Sequence, residues 1–342
     1  MYIAALFAFV VSFLVTPLVI KLAHRCGALD VPKDDRRVHS KPMPLWGGIA
    51  IYIAFFTTMF LFSNIESNKL MGLFIAATLI LITGMIDDVR DLSAKLKLLI
   101  QIIAAGILVK SGYEINYLTN FFGPTDYIHL GMWSLPISII WIVGVTNTVN
   151  LIDGLDGLAA GISAIAAMTL GYIAFINFRY DAAMVTLILA GSSIGFLPHN
   201  FNPAKIFMGD TGALFLGLIL SAISIEGALK GATAVTVVVP ILALGVPIFD
   251  TAFAILRRLV NKKPIMEADK GHLHHRMLLS GFNHKKAVLS MYLISALMGA
   301  GAIALLKHDY LNAVGLLTIA GVVVFIPVNK AIELEKKSRL ND

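Results

Sequence analysis

Residues 70–91 read LMGLFIAATLILITGMIDDVRD, an apolar run over 70–86 with no ionisable side chain that stops abruptly at Asp87 and Asp88. A run of that length crosses a hydrocarbon layer of about 30 Å as a helix. Two adjacent carboxylates at its rim are costly to place there and mark a functional site, whereas Arg90 and Asp91 read as ordinary solvated loop. The same texture extends outward in both directions. Of 342 residues, 58% are hydrophobic and 14% charged, against about 45–50% and about 25% in soluble domains. A soluble globule is excluded, and the chain reads as a single all-α polytopic membrane domain over 1–342.

Hydropathy places spans near 1–23, 46–63, 70–86, 97–112, 133–149, 158–177, 183–198, 211–226, 233–255, 286–306 and 310–328. That is about eleven, with ten or twelve left open because the fourth, seventh and eighth are short or glycine-rich. The first segment has no basic leader region or convincing cleavage site, so it reads as a retained helix. The single cysteine, Cys26, excludes an intramolecular disulfide.

The charge pattern orients the chain. A net charge of +6 could suggest nucleic acid, but the placement of the basic residues says otherwise. With loops assigned alternately, only Lys69, Lys110, Arg179, Lys230 and Lys307 fall on one side, and the other 22 of the 27 Lys and Arg fall opposite. Positive residues accumulate on cytoplasmic loops. The N-terminus is therefore expected outside and the C-terminus in the cytoplasm. Two loops are long. Residues 113–132 lie outside, rich in aromatics around Gly123-Pro124, and suggest a short interfacial hairpin. Residues 256–285 form a cytoplasmic loop with a basic run from Arg257 to Lys263, read as membrane anchoring.

Four further motifs gather on the cytoplasmic side. After the fifth span comes Asn147-Thr148-Val149-Asn150-Leu151-Ile152-Asp153-Gly154-Leu155-Asp156-Gly157. Its polar residues recur every third position, so one helical face could carry Asn147, Asn150, Asp153 and Asp156. The eighth span is entered through His199-Asn200-Phe201-Asn202-Pro203-Ala204-Lys205-Ile206-Phe207-Met208-Gly209-Asp210. Asp210 stands where a helix begins and could simply cap it, but it would be the third acidic site at one face. Asp and Asn oxygens suit Mg²⁺, which is usually held by one or two carboxylates, waters and substrate phosphate. The basic loop holds Lys270-Gly271-His272-Leu273-His274-His275-Arg276. Three such histidines could bind zinc, yet beside a hard-cation site they read better as donors to phosphate oxygens. The first inner loop adds His39 and Lys41 near an anionic headgroup or nucleotide. Metal, phosphate and membrane together point to phosphoryl transfer between a phosphate-bearing lipid and a cytosolic nucleotide.

These motifs, in this order, resemble the polyprenyl-phosphate N-acetylhexosamine-1-phosphate transferases (glycosyltransferase family 4). The strings Asn150-Leu-Ile-Asp-Gly-Leu-Asp-Gly157 and Phe207-Met-Gly-Asp-Thr-Gly212 carry the likeness most specifically. The resemblance implies a multi-pass enzyme of the bacterial cytoplasmic membrane with its active site on the cytoplasmic face. It implies transfer of GlcNAc-1-phosphate from UDP-GlcNAc to undecaprenyl phosphate, with UMP released and Mg²⁺ (or Mn²⁺) as cofactor. Asp87, Asp88, Asp153 and Asp156 would then be catalytic, and Asn150 and Asp210 metal ligands. Lys41, Asn200, Phe207, His272, His274, His275 and Arg276 would bind substrate. The lipid-linked sugar would begin a cell-envelope glycopolymer such as teichoic acid or the lipopolysaccharide O-antigen, and a homodimer is compatible. The histidine string favours the UDP-GlcNAc branch over the one using UDP-MurNAc-pentapeptide. A secondary transporter, the non-enzyme alternative, predicts ionisable groups near the bilayer midplane, whereas these lie at span ends.

Overall fold

In a computed structural model, residues 1–31, 42–119, 127–229, 237–264 and 271–341 are described. They form a bundle of helices: α1 (Tyr2–Cys26), α2 (Gly48–Phe62), α3 (Ser67–Arg90), α4 (Ala94–Lys110), α5 (Ser134–Leu151), α6 (Leu158–Ile176), α7 (Tyr180–Asn200), α8 (Gly209–Ser224), α9 (Val238–Ala243), α10 (Gly245–Val260), α11 (Leu273–Leu279), α12 (His284–Leu306) and α13 (Tyr310–Asn341). Eight helical segments among the described residues are long and apolar enough to cross a membrane. These contain α1, α3, α5, α6, α7, α8, α12 and α13. The chain is a multi-pass membrane protein. The second expected span is the shorter apolar α2, and the fourth is the 17-residue α4.

Where the sequence suggests a ninth span over 233–255, the described part is two helices meeting at Leu244. Pro247 stands in the first turn of α10. Its ring and missing N–H disfavour one helix continuing through this point. The second piece, α10, is amphipathic. Asp250, Thr251, Ala254 and Arg258 are buried, while Phe249, Phe253, Leu256, Leu259 and Val260 are exposed.

Burial grades from the centre outward. In α8, 83% of the apolar window is buried inside the protein, against 28% for α1 and 17% for α13. With no apolar driving force between helices in lipid, small residues at the contacts let backbones approach. A Cβ on Gly84 of α3 would sit 2.5 Å from Thr211 Cα, and one on Gly48 of α2 would sit 2.3 Å from Gly212 Cα. These contacts draw α2 and α3 onto the first turn of α8.

β1 (Leu29–Asp30) and β2 (Met43–Pro44) pair antiparallel, and Pro44 O accepts from Phe207 N just before α8. A second antiparallel pair, β3 (Tyr117–Thr119) and β4 (Tyr127–His129), precedes α5. This is the hairpin expected within 113–132. It is tied to α5 by the Ser138 hydroxyl, which accepts from Ile115 N at 2.8 Å, and by the Ser134 hydroxyl, which donates to Ile115 O at 2.7 Å.

Candidate active site

The last turn of α3, the first turns of α4 and α8, and the last turn of α5 meet in one polar network. Asp87 Oδ1 accepts from Leu92 N at 2.6 Å, and its Oδ2 accepts from Lys97 Nζ at 2.7 Å. The same ammonium reaches Asp210 Oδ2 at 3.2 Å. Asp210 Oδ1 in turn accepts from Asn150 Nδ2 at 2.9 Å. One lysine therefore bridges two carboxylates from helices far apart in sequence.

Asp88 does something a sequence reading does not anticipate. Its Oδ1 accepts from Asp210 N at 2.7 Å, and its Oδ2 accepts from Thr211 N at 3.3 Å and the Thr211 hydroxyl at 2.6 Å. These amides are among the first of α8, which lack partners within their own helix. Met208, preceding the helix, gives no side-chain cap. Asp88 thus performs from α3 the work of an N-cap, and the Asp210 side chain is released to face Asn150 and Lys97. Gly209 makes the approach feasible. Its φ is +69°, and a Cβ there would lie 2.4 Å from Asp88 Oδ2.

The polar ladder after α5 divides. The helix ends at Leu151, so only Asn147 and Asn150 share its face. Asn147 pairs with Gln101 of α4 through reciprocal amide bonds of 2.6 and 3.3 Å, clamping α4 to α5 one turn below Asn150. Asp153 lies in the following turn, partly buried, with Asp210, Asp88 and Asp156 as its charged neighbours. Loss of solvation, then repulsion from those carboxylates, pushes its carboxyl up to about 8. Asp156 points elsewhere: its Oδ2 accepts from Asn202 Nδ2 at 2.9 Å and Ala204 N at 3.2 Å. Asn200 is likewise spent inside the protein, accepting from Gly157 N at 3.0 Å and donating to Ile206 O at 2.9 Å. Both brace the loop that leads to α8. Phe207 joins that loop to α2 through its backbone, donating to Pro44 O and accepting from Gly47 N.

The histidine segment packs against the turn that follows α5. His274 is 2% exposed, and a Cβ on Gly154 would lie 2.4 Å from its Nε2. A side chain at 154 would therefore push the histidine away. Burial, then the neighbouring His275, lowers the His274 imidazole to about 3, so it is neutral at physiological pH. His272 and His274 are parallel, 5.8 Å apart, and His275 stands 4.2 Å from His274. The Gly271 carbonyl accepts from Arg257 Nη1 at 2.9 Å and Arg276 Nε at 3.1 Å. Lys41 and His39 lie outside the described residues, as does Lys270.

Residues missed on sequence alone are now visible. Lys97 had only the signature of a positive residue at a span entrance. Arg257 sat inside a basic run that reads as anchoring, yet it holds the histidine segment. Asp250, within the expected ninth span, accepts from His272 Nδ1 and Leu273 N. Among the described residues, no three His, Cys, Asp or Glu side chains form a preassembled metal cage. The oxygens that could take a hard cation are those of Asp87, Asp153, Asp210 and Asn150.

Residues 70–228 match glycosyl transferase family 4. Over 302 residues, 87% of this chain and 84% of the relative, the sequence is 42% identical to a Bacillus subtilis (strain 168) protein described as a probable undecaprenyl-phosphate N-acetylglucosaminyl 1-phosphate transferase. The chain belongs to glycosyl transferase family 4. It is also 33% identical over 353 residues to a Mycobacterium leprae (strain TN) decaprenyl-phosphate N-acetylglucosaminephosphotransferase, covering 94% of this chain and 88% of that one. A Thermotoga maritima protein described as an undecaprenyl-phosphate alpha-N-acetylglucosaminyl 1-phosphate transferase is 32% identical over 270 residues, 78% of each chain. The family 4 match begins in α3 and ends just beyond α8. It takes in Asp87, Asp88, Lys97, Asn150, Asp153 and Asp210, and leaves out the arm built by α10 and α11. As a family 4 member the chain is a membrane-embedded phosphoglycosyl transferase.

Proposed function

We propose that this enzyme transfers GlcNAc-1-phosphate from UDP-GlcNAc to undecaprenyl phosphate, on the cytoplasmic face of a bacterial membrane, as the first membrane step of a cell-envelope glycopolymer. The observation that carries the reading is a charge imbalance. Asp87, Asp88 and Asp210 gather at the ends of membrane helices around one ammonium, Lys97, with the Asp153 carboxyl beside them. A site so short of positive charge suits a divalent cation together with substrate phosphates. The 42% identity to a protein named for this reaction supports the substrate pair. The bias of Lys and Arg toward one side supports an N-terminus outside and a cytoplasmic site, where a cytosolic nucleotide meets a lipid phosphate.

An oxygen of the lipid phosphate bonds to the β-phosphorus of UDP-GlcNAc. The bond from that phosphorus to the bridging oxygen breaks, and UMP leaves, giving the lipid pyrophosphoryl sugar. Bound Mg²⁺, held by Asp210 with the Asn150 amide oxygen and a second carboxylate, would neutralise charge on the pyrophosphate. Lys97 keeps Asp87 and Asp210 close despite their like charge. Asp88 aims Asp210 by holding the first turn of α8. Asp153, a carboxyl that keeps a proton near neutral pH, is placed to exchange one with a phosphate oxygen. Arg276, with Lys41 from the first inner loop, supplies positive charge to the nucleotide phosphates, and His275 is a further hydrogen-bonding group beside them.

Purified enzyme supplied with undecaprenyl phosphate, Mg²⁺ and radiolabelled UDP-GlcNAc should form a labelled lipid. The same assay with UDP-MurNAc-pentapeptide should yield none. Product from the pentapeptide donor alone would overturn the assigned sugar, and product from neither would overturn the transferase reading.

A further inference from the structure

Outside the carboxylate network, one more acidic side chain is deeply placed. Asp250 lies on the inner face of α10 and is 8% exposed. Both its oxygens serve consecutive residues at the start of α11. Oδ2 is 2.8 Å from His272 Nδ1, and Oδ1 accepts from Leu273 N at 2.8 Å. A carboxylate offers acceptors only. The proton between Asp250 and His272 therefore belongs to Nδ1, and the ring's second nitrogen, Nε2, faces away from α10.

The direction it faces is set by its neighbours. The His272 ring lies parallel to His274 at 5.8 Å. His274 abuts the backbone at Gly154, next to Asp153. The two rings thus occupy the space between α10 and the turn that carries Asp153. Attachment of the histidine segment to α10 does not depend on Asp250 alone, because Arg257 also reaches across to the Gly271 carbonyl. What only Asp250 supplies is the orientation and tautomer of one imidazole.

We infer that Asp250 is a positioning residue: it holds His272 with Nδ1 protonated, so that Nε2 is presented to an oxygen of the sugar nucleotide's pyrophosphate. This rests on the transferase reading above. A carboxylate behind a ligating histidine plays a comparable orienting part in metal sites, where its loss costs about 10–100-fold. When Nε2 carries a proton toward phosphate, the Asp250 carboxylate balances the resulting imidazolium. No bond is made or broken at either residue.

The test is a double-mutant cycle on the full-length enzyme, with Asp250→Ala, His272→Ala and the pair combined, read as kcat and KM for UDP-GlcNAc. Asp250→Ala should lower kcat/KM by about tenfold or more, leave the KM for undecaprenyl phosphate unchanged, and cost nothing further once His272 is gone. Losses that multiply, or wild-type activity in Asp250→Ala, would overturn the inference. If Asp250→Ala fails to yield monodisperse protein, Asp250→Asn, which keeps an acceptor for Leu273 N, replaces it in the same cycle. A second measurement needs no turnover. In ¹⁵N-histidine-labelled enzyme, the resonance missing from His272→Ala should report a protonated Nδ1 and should shift in Asp250→Asn. An unprotonated Nδ1 would overturn the inference even in active enzyme. Absence of turnover by the wild type, with that resonance as expected, would count against the transferase reading and leave the positioning intact.

Discussion

The two halves of the site are built by different means. Around α8, carboxylates are fixed by helix packing: Gly84 and Gly48 bring backbones together, Asp88 caps a neighbouring helix, and Lys97 joins Asp87 to Asp210. Around α10, an amphipathic helix with an exposed apolar face carries the histidine segment through Arg257, which donates to the Gly271 carbonyl, and Asp250, which accepts from Leu273 N. The first construction gives little freedom to the groups it holds, which suits a site that must keep like charges close until a cation and phosphates arrive. The second rests on a few hydrogen bonds from one amphipathic helix, which suits groups that meet a substrate arriving from outside. Loss of a residue should be nearly all-or-none around α8 and graded around α11.

The sharpest break should come at Asp210. Asp210→Asn keeps the side chain's size and the Asp88 cap, which uses backbone amides, so the protein should fold and insert normally. Its kcat should fall by about 10²–10³-fold, the scale of losing one preorganised electrostatic group. Retention of activity at ordinary Mg²⁺ would remove Asp210 as a ligand. Next is Lys97→Met, which leaves Asp87 and Asp210 facing one another uncompensated. Activity should fall by about 10-fold or more, the scale of a charged hydrogen bond lost. The Tm in Mg²⁺-free detergent should also fall and recover when Mg²⁺ is added.

The two halves should also respond to pH with opposite sign. Asp153 is raised to about 8 in the fold from about 3.9 in an unfolded chain. The folded state keeps a proton the unfolded chain has lost, so this contribution to stability is complete below about 4 and disappears as pH rises toward 8. His274 is lowered to about 3 from about 6.5. Its contribution is complete above about 6.5 and disappears as pH falls toward 3. Metal-free Asp153→Asn should therefore hold its Tm better than wild type between pH 6 and 8, and His274→Gln should hold its Tm better between pH 6 and 4. Parallel Tm curves for either variant and wild type would contradict the corresponding assignment. The smallest effect belongs to the opposite end of the bundle. Lys69 pairs with Glu226 at 3.0 Å there, far from both halves along α3 and α8. Lys69→Met should change kcat and KM by less than about twofold, as for a partly exposed ion pair outside the site.

Much of the carboxylate half was legible because ionisable groups at span ends stand out against apolar sequence. Asp87, Asp88, Asn150 and Asp210 do converge. The three-residue spacing from Asn147 to Asp156 misled, because it presumes a helix continuing past Leu151, where the chain instead turns and Gly157 takes a φ of +79°. Lys97 was hidden by orientation bias, since any lysine at a cytoplasmic span end has an ordinary reason to be there. The histidine half was less legible for another reason. Its scaffold, α10, reads as part of a span by hydropathy, and only the break at Leu244 reveals that Asp250, Thr251 and Arg258 share an inward face. Arg257 looked like anchoring because a basic run gives no sign of which members face inward.

Asp87 of α3 and Asp210 of α8, with the Asn150 amide of α5, are read as a divalent-cation site. Titration of the purified, metal-free enzyme with Mn²⁺, followed by electron paramagnetic resonance, tests it without relying on turnover. Wild type should bind one ion per chain, displaced by Mg²⁺, and Asp210→Asn should bind it about 10-fold or more weakly, as expected for a lost charged ligand. Equal binding by the two proteins, or none by either, would contradict the account.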